Sequence, residues 1–211
     1  MLIDTGLMLF AGASLALILV PGPDMIYVIT RGISQGRTVG LLAAWGACSG
    51  LLLHTALAAV GLSALLAKSA AAFSVVKYAG AAYLLYLGIR ALLSKKGFSS
   101  SPDKAKPPVR LRTAFIQGFA SDVLNPKVAL FFIAFLPQFV SPVAGTAASQ
   151  MLLLGAVYTL LSVVIFSCIA FFSGAFGEWL LGKRGVAGLL RWVTGGVLIG
   201  LGLRLALPDR P

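Results

Sequence analysis

The sequence predicts an all-α integral membrane protein, with six transmembrane helices arranged as two inverted three-helix repeats. Three observations lead to this fold class. Of the 211 residues, 59% are hydrophobic and only 11% are charged, whereas soluble domains have about 45–50% apolar and about 25% charged residues. The apolar residues fall into six segments of membrane-spanning length. Two of these segments, one in each half of the chain, are interrupted by proline.

A membrane span needs roughly 20 predominantly apolar residues. Six segments meet this requirement, with approximate limits of 5–30, 39–66, 72–93, 113–140, 149–173 and 187–207. Between the third and the fourth segment lies a stretch rich in Lys, Ser and Pro, a composition typical of a flexible linker. The sequence therefore predicts a first three-helix repeat at 1–93, a basic linker at 94–112 and a second three-helix repeat at 113–211.

The distribution of basic residues predicts the orientation in the membrane. The chain has 17 Lys and Arg residues against six Asp and Glu residues, giving a net charge of +11. Most of the basic residues follow the first, third and fifth segments, and such an excess marks the cytoplasmic side. This pattern places the linker in the cytoplasm and both termini on the opposite side. Because the charge is explained by topology, no nucleic acid partner is expected.

Proline interrupts the first and the fourth segment, and a charged residue follows each interruption. Proline removes a backbone donor and breaks or kinks a helix, and lipid tolerates such a break only inside the protein or beside a water-filled cavity. With three spans in each half, the two breaks would approach each other from opposite directions near the midplane, as in secondary transporters. The predicted substrate-binding residues are Pro21, Gly22, Pro23, Asp24, Asn125, Pro126 and Lys127.

The two charged residues at the breaks suit opposite ends of an amino acid. Asp24 begins a new half-helix, where free amides and the helix dipole favour an anion. We expect it to bind a substrate ammonium or a proton, although a structural cap would explain the same residue. The exposed amides beside it suit a carboxylate. Lys127 lies near the centre of its segment, where it would either pair with Asp24 or contact the substrate carboxylate.

Further polar residues lie within the spans. Asp122 precedes Asn125 by about one helical turn, and Gln117 lies further back on the same segment. Charged residues inside a span face the protein interior or a cavity. If Asp24 and Lys127 neutralise one another, Asp122 stays free to titrate. The predicted proton-coupling residues are therefore Asp122 and Asp24, and the residues predicted to line a cavity are Gln117, His54 and Tyr158.

The remaining polar residues support neither a metal site nor an enzyme. His54 is the only histidine, and it fits a satisfied core residue better than a proton relay. Tyr158 would equally serve as a hydrogen-bonding residue between helices. The sequence contains no nucleophile elbow, phosphate-binding loop or zinc-protease motif. We therefore expect no enzymatic activity, no cofactor and no bound metal, with transport driven by an ion or solute gradient.

Taken together, these motifs resemble the LysE superfamily of exporters, and in particular its homoserine/threonine efflux (RhtB) type. The resemblance covers essentially the whole chain. The stretches that carry it are Pro21–Asp24, Arg31–Gly36, Lys77–Gly88, Asn125–Lys127 and Phe135–Phe139.

The resemblance implies a secondary active transporter that exports amino acids or related small solutes from the bacterial cytoplasm across the inner membrane. It also implies proton antiport, with protons, the amino acid and the lipid bilayer as partners, and a homodimer as a further option. Family members often have Asn where this chain has Asp24. The additional negative charge would favour either a cationic solute or proton coupling.

Two other functions fit parts of the pattern. Half-helices that meet at Asn-Pro steps also occur in solute channels, where their dipoles give selectivity, but the charged Asp24 and Lys127 argue against a pore for neutral solutes. Export of metal cations or other small ions is the second alternative, and the scarcity of His and Cys argues against soft metals. A further alternative is that the chain is a membrane scaffold without transport activity.

Overall fold

The computed structural model describes residues 2–62, 69–93, 109–141, 145–182 and 184–207, and these residues form an all-helical bundle. The helices are α1 (Leu2–Leu19), α2 (Pro23–Gln35), α3 (Arg37–Leu57), α4 (Ala70–Leu93), α5 (Leu111–Val123), α6 (Pro126–Leu130), α7 (Ala147–Gly182) and α8 (Arg184–Ala206). Two of them continue into irregular turns. Helix α3 continues into a π-helical turn at Ala58–Leu62, and α6 continues into a π-helical turn at Phe131–Phe135 and a 3-10 turn at Leu136–Phe139.

Both predicted helix breaks are present. The chain bends by 55° between α1 and α2 and by 47° between α5 and the helical stretch that begins with α6. In each case a proline occupies the first turn of the second helix, a position where its missing N–H and fixed φ are tolerated. The same proline cannot continue the preceding helix, so the chain ends one helix and starts another in a new direction.

Two glycines allow α3 and α5 to pack with their backbones in contact. A Cβ atom at Gly46 would overlap the carbonyl group of Phe115, and one at Gly118 would overlap the carbonyl group of Ala43. Such close approach is the usual role of small residues between membrane helices. The result is a tight seam that joins the first half of the chain to the second.

The long helix α7 has one buried face and one exposed apolar face. Met151, Leu154 and Tyr158 recur at helical spacing and are buried, whereas Leu153 and Leu160 on another face are 60% and 67% exposed. Exposed apolar stripes of this kind are unfavourable in water and mark contact with a membrane or a partner. In a membrane protein this stripe faces the lipid.

Proline also explains the irregular end of α6. Pro137 cannot donate a hydrogen bond to the preceding turn, and the π-helical turn at Phe131–Phe135 lies directly before it. The Gln138 side chain donates from Nε2 to the Ala134 carbonyl at 3.0 Å, which satisfies one acceptor in this region. Phe131 and Phe135 stack with ring centroids 5.1 Å apart and form part of the core.

In the described residues, α3, α4 and α7 are each long and apolar enough to cross a membrane, and the two bent pairs raise the number of candidate spans to five. The protein is thus a multi-pass membrane protein. A helix is present at the predicted sixth segment, 187–207, but α8 is not among these candidates and contains Arg191 and Arg204. Helix α7 extends to Gly182, beyond the predicted limit of 173.

The predicted linker at 94–112 lies outside the described residues except for its last four. Val109 and Arg110 precede α5, which begins at Leu111. The division into two three-helix repeats, 1–93 and 113–211, stays a prediction.

Candidate functional site

Lys127 connects the two helix breaks. Its Nζ donates a hydrogen bond of 2.9 Å to the carbonyl of Val20 and lies 3.4 Å from the carbonyl of Leu17. Leu17 lies in the last turn of α1, and Val20 follows the end of that helix. Pro21 has no N–H to donate to the Leu17 carbonyl, which accepts instead from the Val20 N–H at 3.1 Å. A cation is favoured at the C-terminal end of a helix dipole. Lys127 from the second break therefore acts as a cap for the first.

The second break satisfies its own helix start. Asn125 is the N-cap of α6, and its Oδ1 accepts a hydrogen bond of 3.0 Å from the Lys127 backbone N–H. The Asn125 carbonyl accepts from Val128 and Ala129, each at 3.1 Å. This geometry fixes the direction in which α6 leaves the break, and with it the position of the Lys127 side chain.

The first break has no such side-chain cap. Gly22 is the N-cap of α2, and Asp24 lies in its first turn. Asp24 is 3% exposed, and its Oδ1 has no hydrogen-bond partner. Within the described residues Asp24 and Lys127 form no ion pair, because Lys127 is turned toward the α1 carbonyls. Direct pairing between the two charges, one of the two predicted arrangements, is absent from this conformation.

Gly22 lies where the polar groups of both breaks converge. A Cβ at this position would be 2.6 Å from Asp24 Oδ1, 3.1 Å from Lys127 Nζ and 3.3 Å from Asn125 Nδ2. The backbone at Gly22 has φ −124° and ψ 178°, which other residues adopt freely. The requirement for glycine is therefore one of space, since any side chain would displace these three groups.

Asp122 forms the second acidic group at this site. It is 1% exposed, and its Oδ2 has no hydrogen-bond partner. His54 lies beside it, with Nε2 at 3.9 Å from Asp122 Oδ2 and 3.3 Å from the Asp122 carbonyl oxygen. Gly50 leaves the space for this carboxylate, because a Cβ there would lie 2.5 Å from Oδ2.

A small buried cavity of about 10 Å³ joins the two carboxylates and the lysine. Its volume matches roughly one water molecule. The polar residues that line it are Asp24, Cys48, Asp122, Lys127, Tyr158 and Ser162. The apolar residues that line it are Ile18, Ala47, Leu51, Val128 and Phe166.

Aromatic rings close one side of this cavity. Tyr158 is 2% exposed and packs against Phe131 and Phe132, with ring centroids 4.8 Å and 5.3 Å away. The His54 ring stacks on Phe132 at 5.7 Å. Tyr158 therefore lines this cavity, whereas His54 reaches Asp122 but is not one of the lining residues.

Gln117 lies outside the cavity and connects α5 with α2. Its Oε1 accepts hydrogen bonds from the Tyr27 hydroxyl and from Arg31 Nη2, each at 2.9 Å. The Arg31 guanidinium lies 5.2 Å from the centre of the Tyr27 ring. At the far end of the same pair of helices, the Gln35 side chain accepts from the Val109 N–H at 3.0 Å.

The structure thus brings together most of the predicted residues and adds several that sequence reasoning missed. Tyr27 and Arg31 gave a recognisable signal, because they follow Asp24 at helical spacing on a half-helix. The apolar lining residues, such as Ile18 and Phe166, gave none, because they resemble any residue of a membrane helix. Among the described residues, no three His, Cys, Asp or Glu side chains are grouped as metal ligands would be.

Comparison of the whole chain with known proteins identifies its family. The family description "LysE type translocator" matches residues 15–208. The membrane protein YrhP of Bacillus subtilis is 31% identical over 90% of this chain and 93% of its own length. The "Leucine efflux protein" of Enterobacter sp. (strain 638) is 33% identical over 90% of each chain, and that of Salmonella typhimurium is 31% identical over 90% of this chain and 89% of its own.

The search of solved structures gave no significant match. The family match covers both helix breaks and all the residues that line the cavity. Members of this family are translocators, so the prediction that the protein is not an enzyme is confirmed. The chain belongs to the LysE type translocator family.

Proposed function

We propose that this protein is a secondary active transporter that exports an amino acid, and that leucine or a similar apolar amino acid is its substrate. The observation that carries the proposal is the buried cavity between the two helix breaks. Two carboxylates with an unpartnered oxygen and one lysine share this cavity. Such groups are expensive to bury and mark a site for a polar solute when they lie within membrane helices.

The charges match the two ends of an amino acid. An ammonium group would bind Asp24 Oδ1, which lacks a partner in the described structure. A carboxylate would bind the Lys127 ammonium and the first-turn amides of α2, since this helix has no side-chain cap. Charge-assisted hydrogen bonds of this type are roughly twice as strong as neutral ones. Together they would recognise the group that all amino acids share.

The rest of the lining favours an apolar side chain. Ile18, Leu51 and Phe166 bound the cavity with aliphatic or aromatic surface. A hydrophilic side chain that packed against these three residues would leave its polar atoms without partners, at a cost of about 1–3 kcal/mol for each such group. The relatives named leucine efflux protein, at 31% and 33% identity, give the same indication.

Transport requires a change of conformation. The cavity of about 10 Å³ is far smaller than ligand pockets, which are typically about 300–1,000 Å³. The described conformation is therefore contracted, and a substrate enters only when the helices around the breaks separate. We propose that the breaks at Pro21–Pro23 and Asn125–Pro126 are the hinges of this motion, because non-helical backbone absorbs dihedral change.

The broader arrangement follows from the same proposal. Six spans would form two inverted repeats in the inner membrane of a bacterium, with the linker in the cytoplasm and both termini outside, as the basic residues suggest. Gly196 and Gly200 on α8 have no heavy atom within 4 Å of a Cβ placed there. This open small-residue stripe is consistent with a homodimer. The RhtB type of exporter, which the sequence motifs resemble, is consistent with the same arrangement.

Inward movement of protons would drive export. The chain belongs to a translocator family, and the buried carboxylates Asp122 and Asp24 are the predicted proton-coupling groups. Proton antiport would make outward leucine transport depend on the pH gradient. A channel would show no such coupling, and its flux would not saturate.

A transport assay with the purified full-length protein in liposomes tests the proposal. Leucine loaded inside the vesicles should leave in a saturable manner, faster when the outside is acidic, and unlabelled leucine outside should exchange with it. Lysine, glutamate and Cd²⁺ serve as competitors. Unsaturable flux would favour the channel, competition by Cd²⁺ would favour the metal exporter, and lack of transport for any amino acid would refute export of amino acids.

A further inference from the structure

We infer that Asp122 and His54 form the proton-binding site of this transporter, and that this site is separate from the groups that bind the substrate. The inference deepens the proposed function and rests on it. Both Asp24 and Asp122 are buried carboxylates with an unpartnered oxygen, so composition alone does not distinguish their roles. Their positions on the helices do.

Asp24 and Asp122 lie at opposite ends of helix dipoles. Asp24 is in the first turn of α2, where the positive end of the dipole stabilises an anion. Asp122 is in the last turn of α5, two residues before its C-cap Leu124, where the negative end opposes one. The geometry therefore assigns the substrate ammonium to Asp24 and the proton to Asp122.

The position of Lys127 does not cancel the difference between Asp24 and Asp122. Its Nζ is hydrogen-bonded to the Val20 carbonyl, and among the described residues the group paired with Asp122 is His54, at 3.9 Å. The other titratable or charged groups that face Asp122 across the cavity are Asp24 from α2, Cys48 from α3, Lys127 from α6 and Tyr158 from α7.

His54 is placed to pass a proton to Asp122. Nε2 lies 3.9 Å from Oδ2, and a small rotation or one water molecule closes this gap. In the transfer, the imidazolium loses its Nε2 proton and becomes a neutral imidazole, while the Asp122 carboxylate becomes a neutral acid. Since the buried charges of Asp24 and Lys127 cancel, this proton makes the empty cavity neutral overall.

Three structural details hold the pair in place. Gly50 leaves space for Asp122 Oδ2, and the His54 ring stacks on Phe132 in the π-helical turn that follows α6. The backbone seam between α3 and α5, at Gly46 and Gly118, keeps the helices that carry the pair together. Because the seam joins these two helices directly, the Asp122–His54 pair can stay intact while α2 and α6 move, and only the ring contact with Phe132 changes.

Two measurements on the full-length protein in liposomes separate the proton site from the substrate site. A pH-sensitive dye reports proton movement when a leucine gradient is imposed, and radiolabelled leucine reports exchange between the two sides at equal pH. Asp122→Asn should lose proton movement and pH-driven efflux but retain leucine exchange. Asp24→Ala, which removes the acceptor for the substrate ammonium altogether, should lose exchange. Cys168→Ala, an exposed position on α7, serves as a control with both activities intact.

The inference is overturned if Asp122→Asn still moves protons, or if this variant loses exchange while it remains monodisperse and folded. If the Asp122→Asn variant does not fold, the His54→Gln variant tests the inference instead. This variant should retain exchange and shift the pH at which efflux is half-maximal, and an unchanged pH profile would overturn the inference. Failure of the wild-type protein to exchange leucine would instead refute leucine as the substrate, so the two failures are distinguishable.

Discussion

The two helix breaks look equivalent in the sequence but differ in how their polar groups are satisfied. At the second break, Asn125 caps α6 and Lys127 extends away from its own helix. At the first break, the Val20 carbonyl accepts from Lys127, and Asp24 has an oxygen without a partner. The second break therefore caps its own helix and supplies a cation, although Asn125 Nδ2 has no hydrogen-bond partner. The first break depends on that cation and keeps an open anionic site.

This difference teaches that matching motifs need not have matching roles. Charges of opposite sign at equivalent positions suggest an ion pair, but Lys127 is bound to backbone carbonyls. The carboxylate of Asp24 is thereby left available for a ligand. Substitutions at the two breaks can test this division of roles.

The largest effect is expected for Lys127→Met. This change leaves the Val20 carbonyl without its donor and two buried carboxylates without a nearby cation, and loss of one buried charge partner destabilises by about 3–5 kcal/mol. Thermal unfolding of the detergent-purified protein should show the loss. Lys127→Arg keeps the charge and is the control. Equal stability of the two variants would contradict the capping role of Lys127.

Gly22→Ala should have the next largest effect. The added Cβ would lie 2.6 Å from Asp24 Oδ1 and displace the groups of both breaks, and overpacking of this kind destabilises by about 1–3 kcal/mol. Leucine exchange should fall with it. Gly12→Ala is the matched control in α1, because nothing lies within 4 Å of a Cβ there. If both substitutions behave alike, the contacts around Gly22 are unimportant.

Asn125→Ala should weaken only the second break. Removal of an N-cap side chain destabilises by about 1 kcal/mol, and the released Lys127 N–H loses its partner. Asn125→Ser, which retains a capping oxygen, should recover most of the stability in the same unfolding assay. A failure of Ser to recover it would mean that Asn125 acts through its amide Nδ2 near Gly22 rather than as a cap.

The smallest effect is expected for Tyr27→Phe, which removes the hydroxyl that donates to Gln117 Oε1 at 2.9 Å and lies 3.3 Å from the Ala114 carbonyl. The contact is partly exposed, so the loss should be about 0.5 kcal/mol, at the low end for a hydrogen bond. A double-mutant cycle with Gln117→Ala measures the coupling between the two side chains. Fully additive effects would show that the Tyr27–Gln117 bond does not hold α2 against α5, which would leave Arg31 as the effective partner of Gln117.

Local features of the fold could be predicted from the sequence, and contacts between distant segments could not. The prolines located both breaks, because proline acts on its own turn of helix. The acceptors of Lys127 are backbone carbonyls at Leu17 and Val20, and a carbonyl has no sequence signature. The proximity of His54 to Asp122 depends on the packing of α3 against α5, which the spacing of Gly46 and Gly50 only hints at.

The bond between Lys127 and Val20 also affects how the protein is made. The two residues are 107 positions apart, so the nascent chain delivers α1 and α2 to the bilayer well before the ribosome reaches Lys127. Until then the end of α1 has a carbonyl that must be solvated by water or by the insertion machinery. The end of α1 therefore reaches its final structure only after the later segment that carries Lys127 is inserted.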